Sequence, residues 1–167
     1  VVSYIFYAGN YSSDLANKKN VYGFPNRDHQ INGISNLNNG SNLIFGHRVY
    51  YWVSKDPQTG VLIKTKQSGC VEWAKKIPSN LSTSVFAAKE TIDGNIYVLS
   101  ALNVFSEYLS KLDANGNIIW TKYLDDGRGN HQQFINFEIT PDGGIITSTF
   151  SPSNPILNIT RFDKNGI

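Results

Sequence analysis

The 167-residue chain is poor in the residues that carry most protein chemistry. Its one cysteine, Cys70, excludes an internal disulfide, and one Cys with three His fits a structural zinc site badly. Cys70 stands at an apolar strand position after Gly69, where a buried small side chain is expected. Methionine is absent, at position 1 too, which points to a processed chain, an excerpt of something longer or an accident of composition. Charged residues make up 17%, against about 25% in ordinary soluble domains. The net charge is +2, and no Lys/Arg run exceeds the pairs Lys18-Lys19 and Lys75-Lys76. A nucleic-acid binder would show a basic patch, so nucleic acid is not an expected partner. No apolar run approaches the roughly 20 residues that span a bilayer, so membrane insertion is not expected, and no secretory signal opens the chain.

Polarity comes instead from Asn, Ser, Thr and Gly. Asn occurs 19 times, and it favours turns because it tolerates left-handed backbone and bonds its own main chain. Many turns mean many short elements. Three segments superimpose: ISNLNNGSNLIFG (34–46), FAAKETIDGNIYVLS (86–100) and FEITPDGGIITS (137–148). Each is an alternating strand, a turn and a second alternating strand, with turn glycines Gly40, Gly94 and Gly143 spaced by 54 and 49. A second hairpin follows each: LIKTKQSGCVEWAK (62–75), LSKLDANGNIIWTK (109–122) and ILNITRFDKNGI (156–167). Its glycines Gly69, Gly116 and Gly166 are spaced by 47 and 50, and Trp73 and Trp120 lie 47 apart. Asn-Gly and Asp-Gly pairs between alternating apolar residues predict hairpins whose two central residues both take positive φ. Two hairpins per repeat give four strands. The expected class is all-β, built of four-stranded antiparallel β-propeller blades of about 50 residues.

The chain then divides as a single propeller-type domain or fragment over 1–167. Blades cover 31–80 and 81–130, and 131–167 is an incomplete blade. Residues 1–9 read as a strand that completes the last blade, and 10–30 as an inserted polar loop. A second insertion falls around Tyr50-Tyr51-Trp52 and residues 55–60. About three blades are fewer than the roughly four to eight of a closed ring. That leaves open a larger parent propeller, several copies joining, or an open array.

The repeat resembles one found in tandem in many secreted and surface proteins of bacteria, notably Bacteroidetes. Residues 137–146 (FEITPDGGII) are similar to its first half and 109–122 (LSKLDANGNIIWTK) to its second, and the resemblance spans about 31–167. The first copy departs from it: no Asp precedes Gly40, and Gln67 stands where Asp113 and Asp163 do. The resemblance implies a β-propeller at the cell surface or outside the cell. Similarity to quinoprotein propellers is weaker, resting on Gly69/Trp73 and Gly116/Trp120, and implies no cofactor here.

Candidate sites are few. Trp73 and Trp120 hold equivalent places, as expected of aromatics packed between blades. Asp113-Ala114-Asn115-Gly116-Asn117 reads as a turn, because Leu124 stands where a calcium loop needs its closing carboxylate. Asp125 and Asp126 form a better oxygen cluster, but no metal is expected. His29-Gln30 and His131-Gln132 echo each other just before the first strand of a repeat, and His47 lies near Arg48 and Tyr50-Tyr51-Trp52. Ligand-binding candidates are thus His29, His131, Gln132, Asp125, Asp126, Tyr51 and Trp52. No Gly-x-Ser-x-Gly elbow is present, and no cofactor or enzymatic activity is expected. The leading expectation is a non-enzymatic binding or structural module that presents loops to a protein or glycan. Self-association, or blades of a parent chain, would complete the ring. The alternatives are a lectin-like propeller with a sugar site per blade, and a lyase or hydrolase using the central channel.

Overall fold

Short alternating segments separated by Gly-containing reversals have one cheap way to satisfy their backbone polar groups, which is to pair with the neighbouring segment in the chain. The structure, a computed structural model, describes residues 28–49, 59–77, 84–103, 106–124, 133–151 and 154–167, and among these there is no helix. The protein is all-β. Eleven strands form three antiparallel sheets among the described residues. The first contains β1 (Asp28–Asn36), β2 (Asn42–Val49), β3 (Thr59–Thr65) and β4 (Val71–Ile77). The second contains β5 (Ser84–Glu90), β6 (Ile96–Asn103), β7 (Ser106–Leu112) and β8 (Ile118–Leu124). The third contains β9 (Gln133–Ile139), β10 (Ile145–Ser151) and β11 (Asn154–Phe162). Every sheet is a meander in chain order.

Six tight turns share one hydrogen-bond pattern. In the first, Gly40 N donates to Leu37 O at 3.0 Å and Leu37 N donates to Ser41 O at 2.9 Å, and the same pair of bonds recurs at Gly69, Gly94, Gly116, Gly143 and Gly166. All six glycines have φ between 76° and 84°. This differs from the two-residue reversal that the Asx-Gly pairs predict. The loop has three residues, a type I turn closed by a glycine in left-handed backbone. Counting from that glycine also corrects the alignment of the first copy, because Lys66 rather than Gln67 occupies the place of Asp113 and Asp163. Cys70 is exposed, not buried, like Asn117 and Ile167 at the equivalent place after the second turn glycine of the other units.

Irregularities repeat as well. The first strand of each sheet carries a β-bulge eight residues before its turn glycine, at Asn32, Phe86 and Ile135. The fourth strands of the first two sheets carry one at Glu72 and Ile119, three residues after theirs. A bulge adds one residue and strengthens the local twist, so units that share bulges share curvature. Strand limits differ from the expected boundaries at two places. Asp28–Gln30 pair with His47–Val49, so His29 belongs to a strand and not to the inserted loop. Thr59 and Gly60 likewise belong to β3.

The core lies between sheets. Leu43, Phe45, Leu62 and Ile77 of the first sheet, with Trp73, pack on Val85, Ala88, Ile96, Val98 and Leu112 of the second. Tyr97, Leu99 and Leu109 of the second, with Trp120 and Leu124, pack on Phe137, Ile145, Ile139 and Phe162 of the third. Alternation makes this possible: in the second sheet Ile96, Val98 and Leu112 face the first sheet, and Tyr97, Leu99 and Leu109, of the opposite parity, face the third.

Candidate functional site

The two seams between sheets are built alike. Trp73 lies over the turn at Gly116, where an added Cβ would come within 3.1 Å of its ring, and Trp120 lies over Gly166 at the same 3.1 Å. Lys75 and Lys122 flank these two turns in the same way. Five residues before the second turn glycine of each unit stands a cation. Lys64 Nζ donates to Ala114 O at 3.4 Å, and Lys111 Nζ donates to Lys164 O at 3.0 Å. One geometric step therefore relates the first sheet to the second and the second to the third.

A preserved step keeps the ends of the sheets together. Because each sheet is a meander, its tight turns project from one end and its other connections join strands at the opposite end. Contacts across the seams show that the turn ends coincide: Asn38 Nδ2 donates to Thr91 O at 3.0 Å, and Tyr97 Oη donates to Gly143 O at 3.0 Å. The strand ends Val49, Thr59, Ile77, Ser84, Leu124 and Gln133 accordingly lie at the other end.

At that end the first seam carries a polar cluster. Asn32 Nδ2 donates to Ser84 Oγ at 2.9 Å and to Val85 O at 2.7 Å, and Ser84 Oγ lies 2.9 Å from His47 Nδ1. The carbonyl of Val85 fixes the Asn32 amide with its nitrogen inward. The arrangement that uses every group has Ser84 donating to His47 Nδ1 and the ring proton on Nε2. Burial pushes the His47 pKa below its ordinary 6.5, which keeps the ring neutral and suits that tautomer. Asn32 reaches Ser84 because it is the bulge residue of β1, where the second and third sheets have Phe86 and Ile135. Two further bonds extend the seam at the same sequence offset of 53, from Ser35 Oγ to Ala88 O at 2.6 Å and from Asn38 Nδ2 to Thr91 O.

No protein-family model and no curated protein matches the chain.

Of the candidates read from the sequence, Tyr51, Trp52, Asp125, Asp126, His131 and Gln132 lie outside the described residues. His29 is described by its backbone alone, which pairs with Arg48. The strand ends that bracket these residues, Val49 and Thr59 for Tyr51 and Trp52, and Leu124 and Gln133 for the others, all belong to the end that carries the Asn32, His47 and Ser84 cluster. Reading the sequence missed Asn32 and Ser84. A polar residue at a bulge position that is apolar in the other two copies was the signal available. Among the described residues no three His, Cys, Asp or Glu side chains group closely enough to hold a metal.

The turn end is chemically different. Asp113 Oδ1 accepts from Asn115 N at 2.9 Å and Asn117 N at 2.8 Å, and Asp163 Oδ1 accepts from Asn165 N and Ile167 N at 2.8 Å each. Backbone donors hold both carboxyls below the usual range. Asp93 and Asp142 are held low by the hydroxyls of Thr91 and Thr140. These carboxylates are already occupied in shaping turns.

Proposed function

We propose that the chain is a β-propeller-type repeat module of an exported or cell-surface protein, without enzymatic activity. It binds a protein or glycan through the connections at one end of its sheets. The observation that carries this reading is the seam built twice with one geometry. It makes a rigid scaffold that places its repeated turn chemistry at one end and leaves the other end to connections of differing length and composition. Binding residues concentrate on such connections when a scaffold fixes where they start and stop. The His47 and Ser84 pair and the stretch from Tyr50 to Trp52 supply hydrogen-bonding and stacking groups suited to a sugar or a peptide. The resemblance to bacterial surface repeats supports the setting, and the low charge supports a ligand recognised by hydrogen bonds and aromatic faces.

The test is a glycan array run beside a peptide array, with two variants. Replacing residues 50–58 by a Gly/Ser stretch of equal length is expected to reduce binding at least tenfold. Asp113→Asn, at the far end, is expected to leave it unchanged. Silence on both arrays, or equal loss in both variants, would sink the reading.

A hydrolase reading has one observation in its favour, the Ser84 hydroxyl on an uncharged imidazole, which is the contact an activated nucleophile needs. Labelling of Ser84 by a fluorophosphonate probe, abolished by His47→Gln, would revive it. The Asn32 amide weighs against it, because it occupies a lone pair of the attacking oxygen.

A further inference from the structure

The two faces of the third sheet are in different states. Ile145 and Phe137, 0% and 1% exposed, face the second sheet. Among the described residues nothing covers the opposite face. Counted from the turn glycines, Leu43, Tyr97 and Ile146 are equivalent, and the first two are 0% exposed whereas Ile146 is 39% exposed. Leu62, Leu109 and Ile159 are also equivalent, and here the figures are 0%, 0% and 66%. Leu157 beside them is 57% exposed. A shallow depression of about 210 Å³ lies on this face, lined among others by Asn136, Glu138, Ile146, Ser148 and Ile159. Arg161 takes the place of Lys64 and Lys111, the two cations that hold the turn of the following sheet. At present its guanidinium pairs with Asp142 at 2.5 Å.

We propose that this face is half of a third seam, and that its occupant is a further sheet of the same repeat class. That sheet docks through the face that Val98 and Ile96 present in the second sheet, and Ile145 and Phe137 in the third. The argument is continuity. The same positions meet the same kind of face in both established seams, and the third set is apolar and carries the matching cation. The incoming sheet is therefore specified. It needs an aliphatic residue at the second position after its first turn glycine, where Ile96 and Ile145 stand, and a backbone carbonyl two residues before its second for Arg161 to hold. A second copy of this chain is the weaker occupant. It could offer that face only on its first sheet, where Ile44, Val61 and Ile63 are already 7%, 4% and 2% exposed. The inference rests on the seams and not on the binding reading, so failure on the arrays leaves it standing.

Two experiments decide it. In a Cys70→Ser background, which removes the exposed native thiol, Ser148→Cys places a reporter on the open face. The parent is expected to react quickly with a thiol reagent. Appending a duplicate of residues 118–167 after Ile167 supplies a fourth strand for the third sheet, which has three among the described residues, and a following sheet in register. It is expected to slow the reaction at least tenfold, and Ile159→Asp in the extended chain to restore it. Fast labelling of a folded extended chain overturns the proposal. So does slow labelling of the parent with a doubled mass in sedimentation, which would assign the face to a second copy. The other experiment needs no extension. Ile159→Asp in the parent is expected to leave the melting temperature within about 2 °C, while Leu109→Asp at the equivalent covered position abolishes the transition. Equal damage from both would show that the face is already used within the chain, and would end the proposal.

Discussion

Trp73 and Gly116 belong to different sheets, yet the indole lies directly on the glycine, with its Nε1 donating to the adjacent Ala114 O at 3.1 Å. Gly116 is thus constrained twice, by its φ of 76° and by the ring above it. Gly94 has a φ of 80° but nothing within 4 Å of an added Cβ. The pair separates backbone strain from seam packing. Gly94→Ala should cost about 1–2 kcal/mol, the usual penalty of left-handed backbone for a side chain with Cβ. Gly116→Ala should cost about 1–3 kcal/mol more, the range for overpacking a contact that cannot relax freely. Urea titrations with unchanged m-values would show it. Equal midpoints for the two variants would mean that the indole yields and the seam is soft.

Tyr97 makes a second separable contribution. Its ring is fully buried, meets Trp120 at 5.8 Å between centroids and lies 5.4 Å from Lys111 Nζ, while its hydroxyl bonds Gly143 O. Burial first, then the negative charges of Asp93, Asp163 and Asp142, push the Tyr97 pKa up to about 12. The folded protein therefore keeps its phenol proton where the unfolded chain, near 10, has lost it. The resulting stability is complete below about pH 10 and declines as the pH rises from there towards 12. Tyr97→Phe should lose about 1 kcal/mol at neutral pH, the worth of one hydrogen bond. It should also unfold less steeply between pH 10 and 12 than the parent. An unchanged alkaline slope would count against this placement of the hydroxyl.

The periodicity of the fold was legible because its causes are local. Turn glycines at 40, 69, 94, 116, 143 and 166 need left-handed backbone, and alternation between them sets the strands. That Trp73 and Trp120 play matching parts followed from their common distance to those glycines. The turn type was misread, since a glycine after Asx serves two-residue and three-residue loops alike, and only the hydrogen bonds of Leu37 and its equivalents distinguish them. Cys70 was misplaced for another reason, because the residue after the second turn glycine of each unit is exposed, at Cys70, Asn117 and Ile167 alike. The meeting of the polar cluster was not legible, although His47 and the polar Asn32 among apolar equivalents each offered a signal singly. Asn32, His47 and Ser84 belong to three strands of two sheets, and they meet only because a bulge in β1 turns Asn32 towards the seam.

His47 supplies a third outcome. Its folded pKa lies below 6.5 because burial disfavours the imidazolium. The unfolded chain therefore takes up a proton first as the pH falls. The stability linked to His47 is complete above about pH 6.5 and is lost as the pH drops from there to the folded value. Proton NMR of the ring should show a midpoint under 6.5, and Ser84→Ala, which removes the partner of Nδ1, should shift it. A midpoint above 6.5 would contradict both the burial and the tautomer.

Below that range the turn carboxylates take over. Asp93, Asp113, Asp142 and Asp163 all have folded pKa values under the ordinary one. The folded state thus resists protonation that the unfolded chain accepts, and the stability they provide is present above about pH 4 and lost as the pH falls further. Asp113→Asn with Asp163→Asn tests this while keeping the backbone acceptor, because Asn Oδ1 can still take the two backbone bonds; the Oδ2 bonds from Asn117 Nδ2 and Asn165 Nδ2 are lost. The double variant should melt below the parent at pH 7. The gap should close as the pH falls towards 2, where the parent's carboxyls are neutral too. If the gap stays constant across that range, charge plays no part and the aspartates act through shape alone. If the variant matches the parent at pH 7, the bonds from Asn115, Asn117, Asn165 and Ile167 contribute nothing to the turns they close.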